Sequence, residues 1–508
     1  MPEKSQNLSG KTGVVVFARI ITTVIDLAIV VATIQILSKT DFAIIGYLLM
    51  VHEVARNLAT LGFPDSVFYY FERVAGNARR AFVLQTTVIL LVTAFVSAFF
   101  ILMVSWIVPA LLPEWDAASI STIQQLLPVM ALVVFLEIPT WPVTNILLAL
   151  DRQRESAWYE MITSLLILGM LVGPLALGFG LEVAIYGLLG YAVIRFIGSW
   201  IWMQLVLPKG KLSDSEISLK EQIHFAVPLG LSSLVNKINR YTDKFVVSIL
   251  LPASAYAEYT IGAQEVPIIR VIPFAVGSVL ISRYVAYHLE SQKEELIKLW
   301  YKGVEKVSLL VVPLTLASII IASDLIAIVA ESEGTDYRNS VVPFQIFNLI
   351  VLLRVTNYGS ILQAFGDTKG VFYLSLNLVV ANLLLSIPLT IMYGITGTAV
   401  GTLIANFYNW IITLRRIGRH MELPVREVLP FPFYLKVLAT AVFTAVPVWY
   451  SRFLLIPEES VVIGLSFSLV VYLLLFCLAG TAFNVISKDD WRQFRDWAML
   501  KFLYSKGE

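Results

Sequence analysis

Of 508 residues, 58% are hydrophobic and only 14% charged, with a mean hydropathy of +0.79. Soluble domains carry about 25% charged residues, so this composition excludes a water-soluble globular protein. It describes an integral membrane chain whose apolar runs are long enough for helices rather than barrel strands. The formal charge of +1 gives no reason to expect nucleic acid, and the lone Cys477 excludes an intrachain disulfide and a cysteine-based zinc site.

Hydropathy predicts fourteen spans, in chain order 11–37, 41–63, 81–110, 121–149, 156–179, 182–206, 222–250, 254–285, 305–330, 341–365, 371–393, 396–416, 434–455 and 460–483. The first is too long for a signal-peptide core and reads as a retained helix. The fourth is punctuated by Pro128, Pro139 and Pro142, which membrane helices tolerate when neighbours satisfy the freed backbone groups. After the last span, Trp491, Phe494, Ala498 and Phe502 recur at helical spacing. Residues 487–505 therefore read as an amphipathic helix in the cytoplasmic interface, most simply a surface anchor.

Basic residues set the orientation. One set of connections holds Arg73, Arg79 and Arg80, then Arg152 and Arg154, Lys209 and Lys211, Lys293 and Lys298, Lys369, and Arg415 to Arg426. The alternate set holds only Lys39, Arg338 and Arg452. Both termini are thus expected on the cytoplasmic side.

Five arginines fall inside the apolar runs: Arg19, Arg56, Arg240, Arg270 and Arg354. Facing lipid, they would cost about 12–17 kcal/mol together on insertion scales. They are expected to face a bundle interior or a water-filled cavity, which suggests an anionic ligand. Span seven adds Lys237 and Lys244 at helical spacing with Arg240. This face either lines the cavity or neutralises Asp243. The other arginines have a second reading as structural pairs: Arg19 with Asp26, Arg56 with Glu53, and Arg270 with Glu265.

The chain contains a weak internal repeat. ILLALDRQRESAWYEMI from Ile146 answers ILQAFGDTKGVFYLSL from Ile361, and GFGLEVAIYGLLG from Gly178 answers YGITGTAVGTLIAN from Tyr393. Asp151 and Asp367 are 216 residues apart, as are Gly178 and Gly394. Six spans separate the copies, so both run in the same direction. The expected fold is all-α and integral to the membrane, with two six-helix lobes in pseudo-twofold arrangement and two extra helices. The lobes are 1–206 and 222–418, joined by a polar linker at 207–221, and the extra helices occupy 434–483. Parallel repeats of this kind build transporters that rock around a central site. Gly394, Gly397 and Gly401 look like a phosphate-binding loop, but no strand precedes them; a tight turn and close helix packing fit better.

Several segments resemble bacterial polysaccharide flippases of the Wzx type, within the multidrug/oligosaccharidyl-lipid/polysaccharide exporter superfamily. They are ILSKTDFAIIGYLLMVHEVARNLATLGFPDSVFYYF from Ile36, HFAVPLGLSSLVNKINRYTDKFVVSILLPASAYAEYTIGAQ from His224, and the stretch from Ile361 to Asn406. One departure is Ala43-Ile44-Ile45-Gly46, where Glu-Tyr-Gly is more usual.

The resemblance implies a flippase that moves an undecaprenyl-diphosphate-linked oligosaccharide to the outer leaflet of the inner membrane. Two lobes would alternate around a basic cavity, with no enzymatic activity and no bound cofactor. Arg19, Arg56 and Arg270 match regions where related lipid II flippases place cavity arginines. Arginine's planar, permanently charged fork suits a diphosphate. Coupling to Na+ or H+ is also implied. The candidates in spans seven, eleven and twelve are Asp243, Asn377 and Thr402, with Asp26 a further carboxylate; helix packing also explains them. Implied partners are the lipid-linked oligosaccharide, membrane lipids, and a polymerase and chain-length regulator of the same pathway. Two alternatives stay open: a multidrug cation antiporter of the superfamily, which Asp26 mildly favours, and a membrane polymerase or glycosyltransferase. Short outer connections and four scattered histidines speak against the enzyme.

Overall fold

A computed structural model describes residues 3–492, apart from 72, 75, 208, 210, 212–214, 331–334 and 458–459. Most of the tail helix expected over 487–505 lies outside the described residues. Every regular element among the described residues is helical, and eleven of the helices are long and apolar enough to cross a membrane. Contacts divide the chain into two compact units: 1–258 with 332–335, and 259–331 with 336–508.

The first unit contains α1 (Glu3–Ile36), α2 (Lys39–Thr60), α3 (Phe63–Tyr70), α4 (Asn77–Leu111), α5 (Ala117–Glu137), α6 (Pro142–Ala149), α7 (Gln153–Ile167), α8 (Gly173–Ala176), α9 (Leu181–Val206) and α10 (Leu219–Leu250). Short polar caps start several of them. Ser38 accepts from the Asp41 amide, Asp116 from Ser119 and Ser218 from Glu221, satisfying amides that have no partner inside the helix. The predicted fourth span breaks where its prolines forecast: α5 ends at Glu137, residues 138–140 form a 3₁₀ turn, and α6 begins at Pro142. Between α7 and α8 the chain widens into a π-helical turn at Leu168–Val172. Pro174 explains it, having no N–H to offer the carbonyl four residues earlier.

The contact division at Glu258 falls later in the chain than the linker expected at 207–221. Span seven, α10, packs on α2, α3 and α4 of the first unit. Two glycines make this possible. Gly62, in the left-handed region at φ 76°, lies against the α10 backbone at Ala226 and Gly230. A Cβ on either glycine would strike main-chain atoms of the other segment. Gln222 ties the same junction, donating to Thr86 Oγ1 at 2.7 Å.

α11 (Ala253–Gly262) straddles the division. The second unit continues with α12 (Pro267–Leu289), α13 (Lys293–Ile320), α14 (Ala322–Ala330), α15 (Val341–Leu352), α16 (Tyr358–Ala364), α17 (Thr368–Met421), α18 (Phe431–Leu455) and α19 (Val461–Ala482). α17 is two antiparallel helices. Gly394, at φ 60° and ψ −143°, reverses the chain. Bonds between the arms pair Thr390 with Thr398 at 2.7 Å, Asn382 with Thr402 at 3.2 Å and Asn377 with Asn409 at 3.2 Å. The pairing runs outward symmetrically from the glycine, as a helical hairpin requires. Gly401 lets the arms touch, since a Cβ there would meet Ser386 Cα. The tight turn and close packing expected of this glycine set are therefore present.

The eleven long apolar helices differ from the expected fourteen spans at three places. α17 holds two expected spans in one assigned helix. α10 is too polar to count as an apolar span. The tenth expected span is split into α15 and α16, each short. The repeated segment also has a structural echo. After α6, the Leu150, Asp151 and Arg152 amides donate to Ile146, Leu148 and Leu147. After α16, Phe365, Gly366 and Asp367 donate to Ile361, Gln363 and Leu362. The same helix-ending turn recurs in each unit, with Asp151 in one and Gly366 in the other at positive φ.

Candidate functional site

A cavity of about 830 Å³ opens within the first unit, lined by α1, α2, α5, α7, α9 and α10 and by the segments around α3 and α6. Its size suits a ligand of several chemical groups. Four cationic side chains line it: Arg19, Arg56, Arg195 and Lys237. Five carboxylates do as well: Asp26, Glu53, Asp65, Glu137 and Glu160. With His52 neutral the lining therefore carries a formal charge of −1. The expected cavity cations Arg19, Arg56 and Lys237 are thus among the lining residues, together with acids.

The best-organised part is a network around Glu137, which is only 4% exposed. Its carboxylate stands at the last residue of α5, where Pro139 stops the helix inside the apolar layer. One oxygen accepts from Arg195 at 2.8 Å, and the other lies 2.7 Å from His52 Nε2. Arg195 also donates to Tyr191 Oη at 2.6 Å, one turn earlier on α9, and to Tyr159 Oη at 3.2 Å on α7. Tyr159 continues to Ser199 at 2.8 Å. Four helices thus meet in one chain of polar groups, and both oxygens of the buried carboxylate are used.

Trp141, on the proline-rich break, lies between two guanidinium groups. Arg56 sits 4.3 Å from its ring centroid and Arg195 5.3 Å. Arg56 also donates to Glu53 at 2.5 Å along the same helix. Of the expected pairs, Arg56 with Glu53 is present. Arg19 forms no ion pair with Asp26; it is exposed to the cavity, as is Asp26.

α10 separates its basic residues. Lys237 lines the cavity half-buried, Arg240 is exposed, and Lys244 is half-buried. Asp243 is buried, and its Oδ1 accepts from the Lys244 amide at 2.9 Å.

In the second unit, Arg354 donates to Glu265 at 2.7 Å and to Asn406 Oδ1 at 3.2 Å. Glu265, expected beside Arg270, is thus taken by Arg354, while Arg270 is exposed on α12. Asn377 and Thr402 close separate bonds, to Asn409 and Asn382, across the α17 hairpin. Among the described residues no group of three or more His, Cys, Asp or Glu is arranged to hold a metal ion.

The cation readings passed over Arg195, although it lies inside the predicted sixth span. Glu137 and His52 were also passed over. The available signal was the rule already applied to the other arginines: any ionisable residue within a membrane segment is a functional candidate.

Long apolar helices around a charged cavity of ligand size define a polytopic membrane protein of transporter type. The chain belongs to the family described as "Polysaccharide biosynthesis protein", whose profile matches residues 33–337. No curated protein matches it in sequence. Its fold is similar to the lipid II flippase MurJ in an inward closed conformation, at 14% identity and TM-score 0.68, covering 92% of this chain and 99% of that one. It is also similar to an inward-facing multidrug resistance MATE transporter of the MOP superfamily, at 16% identity and TM-score 0.62, covering 79% and 94%. A MOP superfamily transporter from Pyrococcus furiosus, described by the reverse polarity of its binding pocket, matches at 14% identity and TM-score 0.53, covering 82% and 94%. At these identities the likeness concerns the fold.

Proposed function

We propose that this chain is a flippase of the inner membrane. It moves an undecaprenyl-diphosphate-linked oligosaccharide from the cytoplasmic to the outer leaflet by alternating access, with both termini cytoplasmic. The observation that carries this reading is the cavity of the first unit, where Arg19, Arg56 and Lys237 reach a water-accessible space from three helices. A diphosphate diester offers two negative charges and several acceptor oxygens, which guanidinium and ammonium groups meet with charge-assisted bonds. Membership of a polysaccharide biosynthesis family supports the glycan, and the flippase fold supports the lipid-linked carrier.

In this mechanism the Arg56–Glu53 pair is exchangeable. Lying on one helix and half-exposed, it contributes little to stability, so a phosphate can replace the carboxylate at small cost. Arg195 is different: three partners hold it, and it shapes the cavity floor rather than releasing to a ligand. Arg240, Lys244, Arg270 and Arg354 are proposed as further contacts for the diphosphate, and Asp243, Asn377, Thr402 and Asp26 are proposed as candidates for Na+ or H+ coupling. A polymerase and chain-length regulator of the same pathway are proposed partners.

One observation favours a second reading, the multidrug cation antiporter. The five carboxylates of the cavity are the groups an organic cation would seek. Reconstituted protein separates the two. Movement of a lipid-linked oligosaccharide with no uptake of an organic cation supports the flippase. The reverse supports the antiporter.

A further inference from the structure

A second hollow lies in the first unit, a shallow groove between α4 and α9. Its floor is the proline break between α5 and α6, where Pro139, Thr140 and Pro142 line it. Trp200, also a lining residue, is 45% exposed, so the groove opens outward. It encloses only about 40 Å³. A ligand would therefore lie along it rather than inside it.

One end of the groove is basic. Arg80 stands in the first turn of α4, opposite Gln204 near the end of α9, and its Nη2 donates to Gln204 Oε1. Its Nε is buried and has no hydrogen-bond partner among the described residues. No carboxylate is paired with it among those residues either. The neighbouring Arg79 differs. Its Nε donates to the Val74 carbonyl at 2.9 Å, and its guanidinium lies 4.9 Å from the Phe71 ring centroid. A buried N–H of a charged group without an acceptor is costly.

Further along the groove the polar side chains are already engaged. Thr87 donates to the Val83 carbonyl at 2.9 Å and Thr140 to the Glu137 carbonyl at 2.6 Å, while Ser199 bonds Tyr159 at 2.8 Å. What remains for a guest is the apolar surface of Leu84, Phe196 and Met203. From Gln204 back to Phe196, α9 covers roughly 12 Å at about 1.5 Å per residue. One leaflet holds roughly 15 Å of hydrocarbon, half the bilayer core. A cation followed by nearly one leaflet's depth of apolar wall matches the order of groups in a phospholipid.

We propose that this groove binds a membrane phospholipid with a net negative headgroup, its phosphate on Arg80 and one acyl chain along α4 and α9. A phosphate oxygen supplies the acceptor that Nε lacks, and phosphate suits the arginine fork. A zwitterionic headgroup would bring its own ammonium beside a guanidinium that no carboxylate balances. Free phosphate would leave the apolar stretch uncovered. Arg79 and Arg80 belong to the basic set of connections, so the expected leaflet is the cytoplasmic one, where basic pockets between helices meet anionic headgroups. Trp141 lines the cavity while its neighbours Thr140 and Pro142 line the groove. The two sites thus lie on different faces of one break, and this one stands whatever the cavity carries.

The test uses the full chain purified without added lipid. The probes are phosphatidylglycerol, phosphatidylcholine with the same acyl chains, and inorganic phosphate, with binding read by native mass spectrometry. Wild type should hold phosphatidylglycerol roughly tenfold more tightly than phosphatidylcholine. Arg80→Gln should lose that preference, Arg80→Lys should keep part of it, and Arg79→Gln should keep it whole. A phosphatidylglycerol with a photoactivatable acyl chain should label α4 or α9 along the groove. No preference in wild type, or an unchanged preference in correctly folded Arg80→Gln, would overturn the site. Displacement of the lipid by an equal concentration of inorganic phosphate would overturn its assignment to a lipid. Labelling confined to helices other than α4, α5, α6 and α9 would overturn it without recourse to a variant.

Discussion

Arg195 and Glu137 form a buried ion pair at 2.8 Å, joining α9 to the last residue of α5. Each has further partners, so neither charge is left alone. Removing one partner strands the other in a low-dielectric site, which typically costs about 3–5 kcal/mol. Glu137→Ala should therefore lower the thermal stability of the detergent-solubilised protein sharply. Glu53→Ala, which breaks a half-exposed pair, should change it by about 1 kcal/mol or less.

The α3–α10 crossing makes a separate prediction. Gly230 lies against the Leu61 and Gly62 backbone, and an added Cβ there meets main chain rather than a side chain that can swing away. Gly230→Ala should destabilise by about 1–3 kcal/mol, read as a fall in melting temperature. Gly198→Ala, with nothing near the added methyl, should not.

In the second unit, Arg452 makes a two-pronged contact with Asp324, at 3.0 and 2.8 Å, with both side chains buried. The pair ties α14 to α18. Arg452→Ala should cost about 3–5 kcal/mol, and replacing both residues by apolar ones of similar size should recover most of that loss. The measurement is a double-mutant cycle on melting temperature.

The turn into α17 has a pH signature. Asp367 caps the helix through the Gly370 amide and accepts two bonds from Arg416, at 2.5 and 2.8 Å, and one from His420 Nε2 at 2.9 Å. The bond from Arg416 is the largest influence, and together they hold the Asp367 carboxyl well below the usual carboxylate range. A depressed folded pKa means stability fully present above the unfolded carboxylate pKa, about 3.9, and lost as pH falls through the lower folded value. The melting-temperature gap between wild type and Asp367→Asn should be constant above about pH 5 and shrink below about pH 4. A gap that widens on acidification would contradict this.

Much of the fold was legible in the sequence. The apolar runs placed the helices, Pro139 and Pro142 forecast the break, and the glycines from Gly394 marked the hairpin. Each of these follows from local physics along the chain. The packing of α10 on α2, α3 and α4 was not legible, because it depends on Gly62 and Gly230, which are far apart in sequence and meet only when folded. The site was legible in half. Arginine in an apolar run is conspicuous, and Arg19, Arg56 and Lys237 do reach the cavity. Their acidic partners were less so. Glu265 sits near Arg270 in sequence and bonds Arg354 instead, and Glu137 finds Arg195 and His52 on other helices. Charge balance in a cavity is a property of helices brought together, and no single stretch reports it.

Cavity cations without a strong structural partner should affect transport more than folding. Arg19→Ala and Lys237→Ala should each lower the rate of lipid-linked oligosaccharide movement by about tenfold or more, the loss expected for a charge-assisted bond. Melting temperature should stay close to wild type.

The most direct measurement reconstitutes the full chain in liposomes with a labelled undecaprenyl-diphosphate-linked oligosaccharide and follows its arrival in the opposite leaflet with a membrane-impermeant lectin or glycosidase. The account predicts protein-dependent movement that falls steeply in Arg19→Ala and Lys237→Ala. Equal movement in protein-free liposomes, or full activity in both correctly folded variants, would contradict it.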